Sequence, residues 1–200
     1  MALTKTDIAV LGLFASRMLE RLTVREAARL IKKDLKIVHT SIKKLAKEGF
    51  LIKEKPSGIR LDYRKNISEI AYVESVRKAA FFKKHPLIGI YAEKLIAESK
   101  TKLMLLLIFG SYASGKNKAN SDIDLLAVVP EYNGDVGQQM VSALSLSPKK
   151  FHASIISEES FREMLKKRDE MNVVNETLNN HILLYGSEQY YALLGERDVR

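Results

Sequence analysis

The stretch LMLLLIFGSYASGKNKANSDIDLLAVV, residues 103–129, sets the architecture. It holds two apolar runs, Leu103–Phe109 and Ile123–Val129, separated by Gly110-Ser111, a polar loop and Asp122-Ile123-Asp124. An apolar run of that length bounded by Gly-Ser reads as a strand buried on both faces, and the second run reads as its neighbour. Side chains alternate along a strand, so Asp122 and Asp124 share one face while Ile123 and Leu125 take the other. Two carboxylates held side by side repel each other unless a cation intervenes, and oxygen-only ligands of this kind suit Mg²⁺ or Mn²⁺. Gly110 permits a sharp turn and close approach of a ligand to the backbone. Ser111 adds a hydroxyl and an N–H, and a short helix starting here presents free N–H groups to a phosphate. A phosphate cradle on one strand and an acidic pair on the next describe a phosphoryl- or nucleotidyl-transfer site.

These residues resemble the signature of the DNA polymerase β-type nucleotidyltransferase superfamily: an apolar strand, Gly-Ser, about ten residues, then Asp-apolar-Asp-apolar. The words FGSYASG and SDIDLLAV are most similar to its minimal nucleotidyltransferase branch, and the terminal NNHILLYGSEQYYALL resembles the end of such domains. The resemblance implies a nucleoside triphosphate (NTP) ligand with Mg²⁺ or Mn²⁺. Asp122 and Asp124 would be the catalytic metal ligands, and Gly110, Ser111 and the loop residue Lys116 would bind the nucleotide. Two departures stand out. Active family members present a third carboxylate from the third strand, where Phe151–Ile156 offers only His152 and Ser154, with Glu158 and Glu159 just beyond. Ser114 stands where relatives carry Arg or Lys.

The charge is placed unevenly. The chain of 200 residues carries 33 Lys and Arg against 24 Asp and Glu, a net +9. Residues 1–66 alone hold sixteen of the bases and seven of the acids, which accounts for the whole excess. That asymmetry points to a basic module joined to a neutral one. No cysteine is present, which excludes disulfides and thiolate metal sites and fits a reducing compartment. No apolar run approaches the ~20 residues that span a bilayer. With no signal-peptide pattern at the N-terminus, the expectation is a cytoplasmic protein without membrane contact.

Thr4 or Thr6 caps a first helix, and Thr23-Val-Arg-Glu26 is a capping box opening a second. A third runs from Leu35 to Glu48 and stops at Gly49, with an apolar stripe through Ile42 and Leu45. Two short strands follow around Pro56-Ser57-Gly58. Three helices and a basic hairpin resemble the winged helix-turn-helix of prokaryotic regulators, in which the third helix enters the DNA major groove. By that resemblance Lys36, His39, Thr40, Ser41, Lys43 and Lys44 face DNA, Lys53, Lys55 and Arg60 belong to the wing, and the protein forms a homodimer.

The expected fold is therefore α/β (α+β), with a winged helix over 1–66, a linker helix over 67–85, and a nucleotidyltransferase fold over 86–200 with a small mixed sheet flanked by helices. Helices are expected at Val136–Leu146 and from about Met171 to Leu184, and a third strand at Lys149–Ser157. Three functions fit: a DNA-binding transcriptional regulator whose transferase domain binds NTP, an active nucleotidyltransferase acting on protein or RNA, and an antitoxin-like partner of a small helical toxin. The first is preferred because no third carboxylate is identifiable.

Overall fold

A computed structural model describes residues 2–54, 58–99 and 102–196. Its backbone contacts divide the chain into two compact units, one running to Glu74 and resuming at Tyr191, the other spanning Ser75–Tyr190.

The first unit opens with α1 (Lys5–Ala15), α2 (Val24–Ile31) and α3 (Leu35–Lys47). Thr4 and Asp7 form a reciprocal capping box on α1, and Thr23 and Glu26 do the same on α2. Each box satisfies two backbone donors that the first helical turn leaves without partners. The Asp34 carboxylate caps α3 through the N–H groups of Lys36 and Ile37. Gly49, just past that helix, takes φ +78, the left-handed conformation that lets the chain reverse into the hairpin. The hairpin pairs β1 (Leu51–Glu54) with β2 (Gly58–Leu61) antiparallel, Leu51 opposite Leu61, and Leu22 adds an isolated bridge to Ile59. Val10, Leu11, Phe14, Ala27, Val38, Ile42, Leu45, Leu51 and Ile59 form the buried centre.

Next comes α4 (Ile67–Lys84), whose Ile70 and Val73 are fully buried. Glu74 is also fully buried, and the Tyr191 hydroxyl donates to its carboxylate at 2.6 Å, tying the C-terminal part of α10 (Ser187–Gly195) into this unit.

The second unit contains α5 (Pro86–Ser99), β3 (Leu105–Phe109), α6 (Gly110–Ala113), β4 (Ile123–Val129), α7 (Gly134–Ser145), β5 (Phe151–Ser157), α8 (Glu158–Lys166), α9 (Val173–Thr177) and β6 (Ile182–Tyr185). The four strands make one mixed sheet in the order β5-β4-β3-β6. β3 runs antiparallel to β4 and β6, while β4 and β5 are parallel and joined through α7. Every residue of β3 is buried, as its unbroken apolar run requires. On one face Ile123, Leu125 and Ala127 join Ile88, Ala92 and Leu95 of α5 and Val136, Met140 and Leu144 of α7 in a single apolar cluster. On the other, α8 and α9 lie against β4 and β3. This four-stranded mixed sheet with helices on both faces is consistent with a nucleotidyltransferase fold.

The expected helix over 171–184 is corrected. Only Val173–Thr177 is helical; Asn180 turns the chain at φ +55, and Ile182–Tyr185 becomes the edge strand β6. The edge position beside β3 offers Ile182, Leu183 and Leu184 a buried sheet environment. Gly186 then reverses the chain at φ +76, where a Cβ would stand 2.1 Å from the Met104 carbonyl oxygen.

Candidate functional site

Asp124 and Gly110 meet because of strand register. Antiparallel pairing sets Phe109 opposite Asp124, and β3 ends there. Gly110 then turns at φ +66 into α6, and a Cβ at this position would lie 2.3 Å from Asp124 Oδ2. The glycine is therefore required twice, for a left-handed backbone and for a carboxylate packed against it. Ser111, half-buried, follows in α6, and its carbonyl accepts from the Lys116 N–H at 2.9 Å. Lys116 is itself exposed.

Asp122 stands two residues before Asp124, at the entrance to β4. Its Oδ2 accepts from the Lys150 ammonium at 2.9 Å, and the two side chains are 42% and 78% exposed. That hydrogen bond, more than the charge alone, holds the Lys150 ammonium above the usual lysine range. The parallel register pairs Asp124 with His152, whose Nδ1 lies 3.7 Å from Asp124 Oδ1. Asp124 on β4 and Asp122 at its entrance thus face a lysine and a histidine at the head of β5.

The donor set does not fit a preformed divalent-metal cage. Among the described residues no group of three His, Asp or Glu side chains converges on a common point. One of the two expected carboxylates is already engaged by an ammonium. Glu158 and Glu159 are excluded as the third ligand by the parallel pairing, which places Val129 opposite Ser157 at the far end of the strands. Seven residues of strand span about 20 Å, and Glu158 is held there by Arg162.

Three neighbours of the site escaped the sequence reading. His85 stacks edge-on with Tyr112 of the signature, ring centroids 5.3 Å apart. Burial, aided by Lys84 and Lys149, holds its imidazole below the usual histidine range. Lys149 donates to the Ala119 carbonyl at 2.9 Å and so ties the head of β5 to the loop after α6. Lys150 is the third. The run Lys149-Lys150 before an apolar strand was a usable signal for a cationic strand head.

In the first unit, Lys36, His39, Thr40 and Lys43 lie exposed on one side of α3, with the Thr40 hydroxyl donating back to the Lys36 carbonyl. Ser41 does not join them. It is only 6% exposed, and its hydroxyl donates to Asp7 at 2.6 Å. Val38, Ser41, Ile42 and Leu45 form the stripe at helical spacing, which turns Ser41 inward. Lys44 is likewise held inward, its ammonium 2.7 Å from Asp7 Oδ2. On the hairpin, Lys53 is exposed, Arg60 pairs with Glu54, and Lys55 lies outside the described residues.

Residues 93–190 match the family model described as Polymerase beta, Nucleotidyltransferase. The class of the second unit follows from that match together with its mixed sheet and Gly-Ser/Asp-x-Asp arrangement: it contains a nucleotidyltransferase-fold domain. Two solved structures are similar to it. One, described as the crystal structure of a toxin-antitoxin with AMP-PNP, is 21% identical with a TM-score of 0.33, covering 53% of this chain and 79% of that one. The other, a mutant form of the toxin-antitoxin MntA-HpeT, is 20% identical with a TM-score of 0.34, covering 52% and 77%. No curated protein matches the chain. No helix among the described residues is long and apolar enough to cross a membrane.

Proposed function

We propose that this protein is a DNA-binding regulator whose nucleotidyltransferase-fold domain binds a nucleoside triphosphate. The observation that carries the nucleotide half is the Gly110–Asp124 approach within the family-matched stretch, a backbone turn that only glycine fills. Gly110 and Ser111 would cradle the phosphates, with Lys116 supplying charge from the adjoining loop. The chemistry is then binding without efficient transfer, because β5 brings no carboxylate to Asp122 and Asp124 and so no third acidic ligand for a metal.

The DNA half rests on charge. The chain's excess positive charge falls within residues 1–66, and α3 displays Lys36, His39, Thr40 and Lys43 to solvent. Phosphate neutralisation by such a face supplies most non-specific affinity. Lys53 extends the basic surface on the hairpin. The unit's three helices and hairpin have the order of a winged helix, with α3 as the groove-facing element.

The test is a band-shift assay of the full chain against a pool of random duplexes, with and without each triphosphate. The expected result is a salt-sensitive complex whose midpoint moves when the bound triphosphate is added. A chain that fails to shift any duplex at low salt would refute the regulator reading. Incorporation of label from an α-labelled triphosphate into an acceptor would favour the active transferase instead.

A further inference from the structure

The two strands that form the site set an acidic pair beside a lysine and a histidine at neighbouring positions. Asp122 and Asp124 alternate on β4 and its entrance, and Lys150 and His152 alternate on β5 and its entrance. The period of two puts each pair on one face of its strand. The salt bridge joins Asp122 to Lys150, and the second contact joins Asp124 to His152. A carboxylate at position 152 would crowd three negative charges together and demand divalent cations. In this chain the neighbouring strand delivers positive charge of its own.

We infer that Lys150 is a resident counter-ion that takes the place of a divalent cation at Asp122, and that residues 150 and 152 together set the site's divalent affinity low. This charge balance belongs to the carboxylate pair and does not depend on nucleotide binding. The ammonium sits at hydrogen-bond distance from Asp122 Oδ2, so a free ion binding Asp122 competes with its charge. Lys150 is largely solvated, which makes the barrier modest and the lysine replaceable without loss of fold. Lys149 is directed elsewhere, its ammonium donating to the Ala119 carbonyl.

The experiment is a titration of the full chain with Mn²⁺ alone, read by calorimetry and by the electron paramagnetic resonance signal of free Mn²⁺. Lys150→Met keeps the aliphatic stem and removes the charge; it should bind Mn²⁺ about fivefold tighter than the wild type, the upper end of what an exposed ion pair costs a competitor. Lys150→Arg keeps the charge and should match the wild type. Adding His152→Asp to Lys150→Met supplies the third carboxylate and should tighten binding by a further factor on the order of ten. Equal Mn²⁺ affinity in the wild type and Lys150→Met would overturn the inference, as would tightening by Lys150→Arg equal to that of Lys150→Met. Failure of triphosphate binding in a separate titration would strike the nucleotide reading and leave the Mn²⁺ result standing.

Discussion

Asp7→Asn should reveal how far the first unit depends on one buried carboxylate. Asp7 is 1% exposed and serves two purposes at once. It caps α1 through the Thr4 N–H at 2.9 Å, and it accepts from the Ser41 hydroxyl at 2.6 Å and the Lys44 ammonium at 2.7 Å. Burial raises its pKa, but Lys44, Ser41 and Thr4 together overcome that and bring it down from 3.8 to about 2. A carboxyl with a depressed folded pKa stabilises the fold above its unfolded pKa. That stability is lost as the pH falls through the folded value. At about 1.4 kcal/mol per pH unit, the shift corresponds to about 2 kcal/mol at neutral pH. Asn keeps the shape and part of the cap but cannot pair with Lys44, so the variant should lose about 2 kcal/mol at pH 7. The gap between wild type and variant should shrink between about pH 4 and pH 2. Denaturant unfolding followed by circular dichroism at a series of pH values measures it. A gap under about 0.5 kcal/mol at pH 7, or one of equal size at pH 7 and pH 2, would refute the ion-pair assignment.

Other substitutions probe the remaining joints. Gly186→Ala forces a Cβ to within 2.1 Å of the Met104 carbonyl oxygen at φ +76, and should cost about 2 kcal/mol or more in denaturant unfolding. Gly110→Ala should destabilise by about 1–2 kcal/mol through its positive φ and displace the Asp124 carboxylate; nucleotide titration of the refolded variant should show at least a tenfold weaker complex, on the order of one lost charged hydrogen bond. Lys36→Glu with Lys43→Glu should weaken DNA binding across all sequences and reduce the slope of log affinity against log salt by about 2, close to one per lost phosphate contact. The same exchange at Ser41 should instead be read as a folding defect in thermal unfolding, because that side chain is buried against Asp7.

Much of this was legible in the sequence because each signal was local. The apolar run before Gly110 read as a doubly buried strand, which Leu105–Phe109 forms, and the Thr23–Glu26 box fixed the start of α2 to the residue. The basic excess of the first 66 residues needed counting alone. What stayed hidden was relational. Ile182–Tyr185 is too short for its period to separate strand from helix, and its fate was decided by the free edge of β3. The face of Ser41 was readable from the Val38–Ile42–Leu45 spacing, but its polarity disguised it until Asp7 appeared as its partner. The fate of Glu158 hung on whether β5 ran parallel or antiparallel to β4, which no residue in β5 announces. Parallel pairing brought Lys150 and His152 to the acidic pair and sent the glutamates to the other end.

Nucleotide binding by the second unit stands or falls on equilibrium dialysis of the full chain against labelled ATP, GTP, CTP and UTP, with Mg²⁺ present. Saturable, submillimolar binding of at least one triphosphate is expected, weakened at least tenfold in Gly110→Ala, with the label released on denaturation. Absence of saturable binding for all four nucleotides would contradict it.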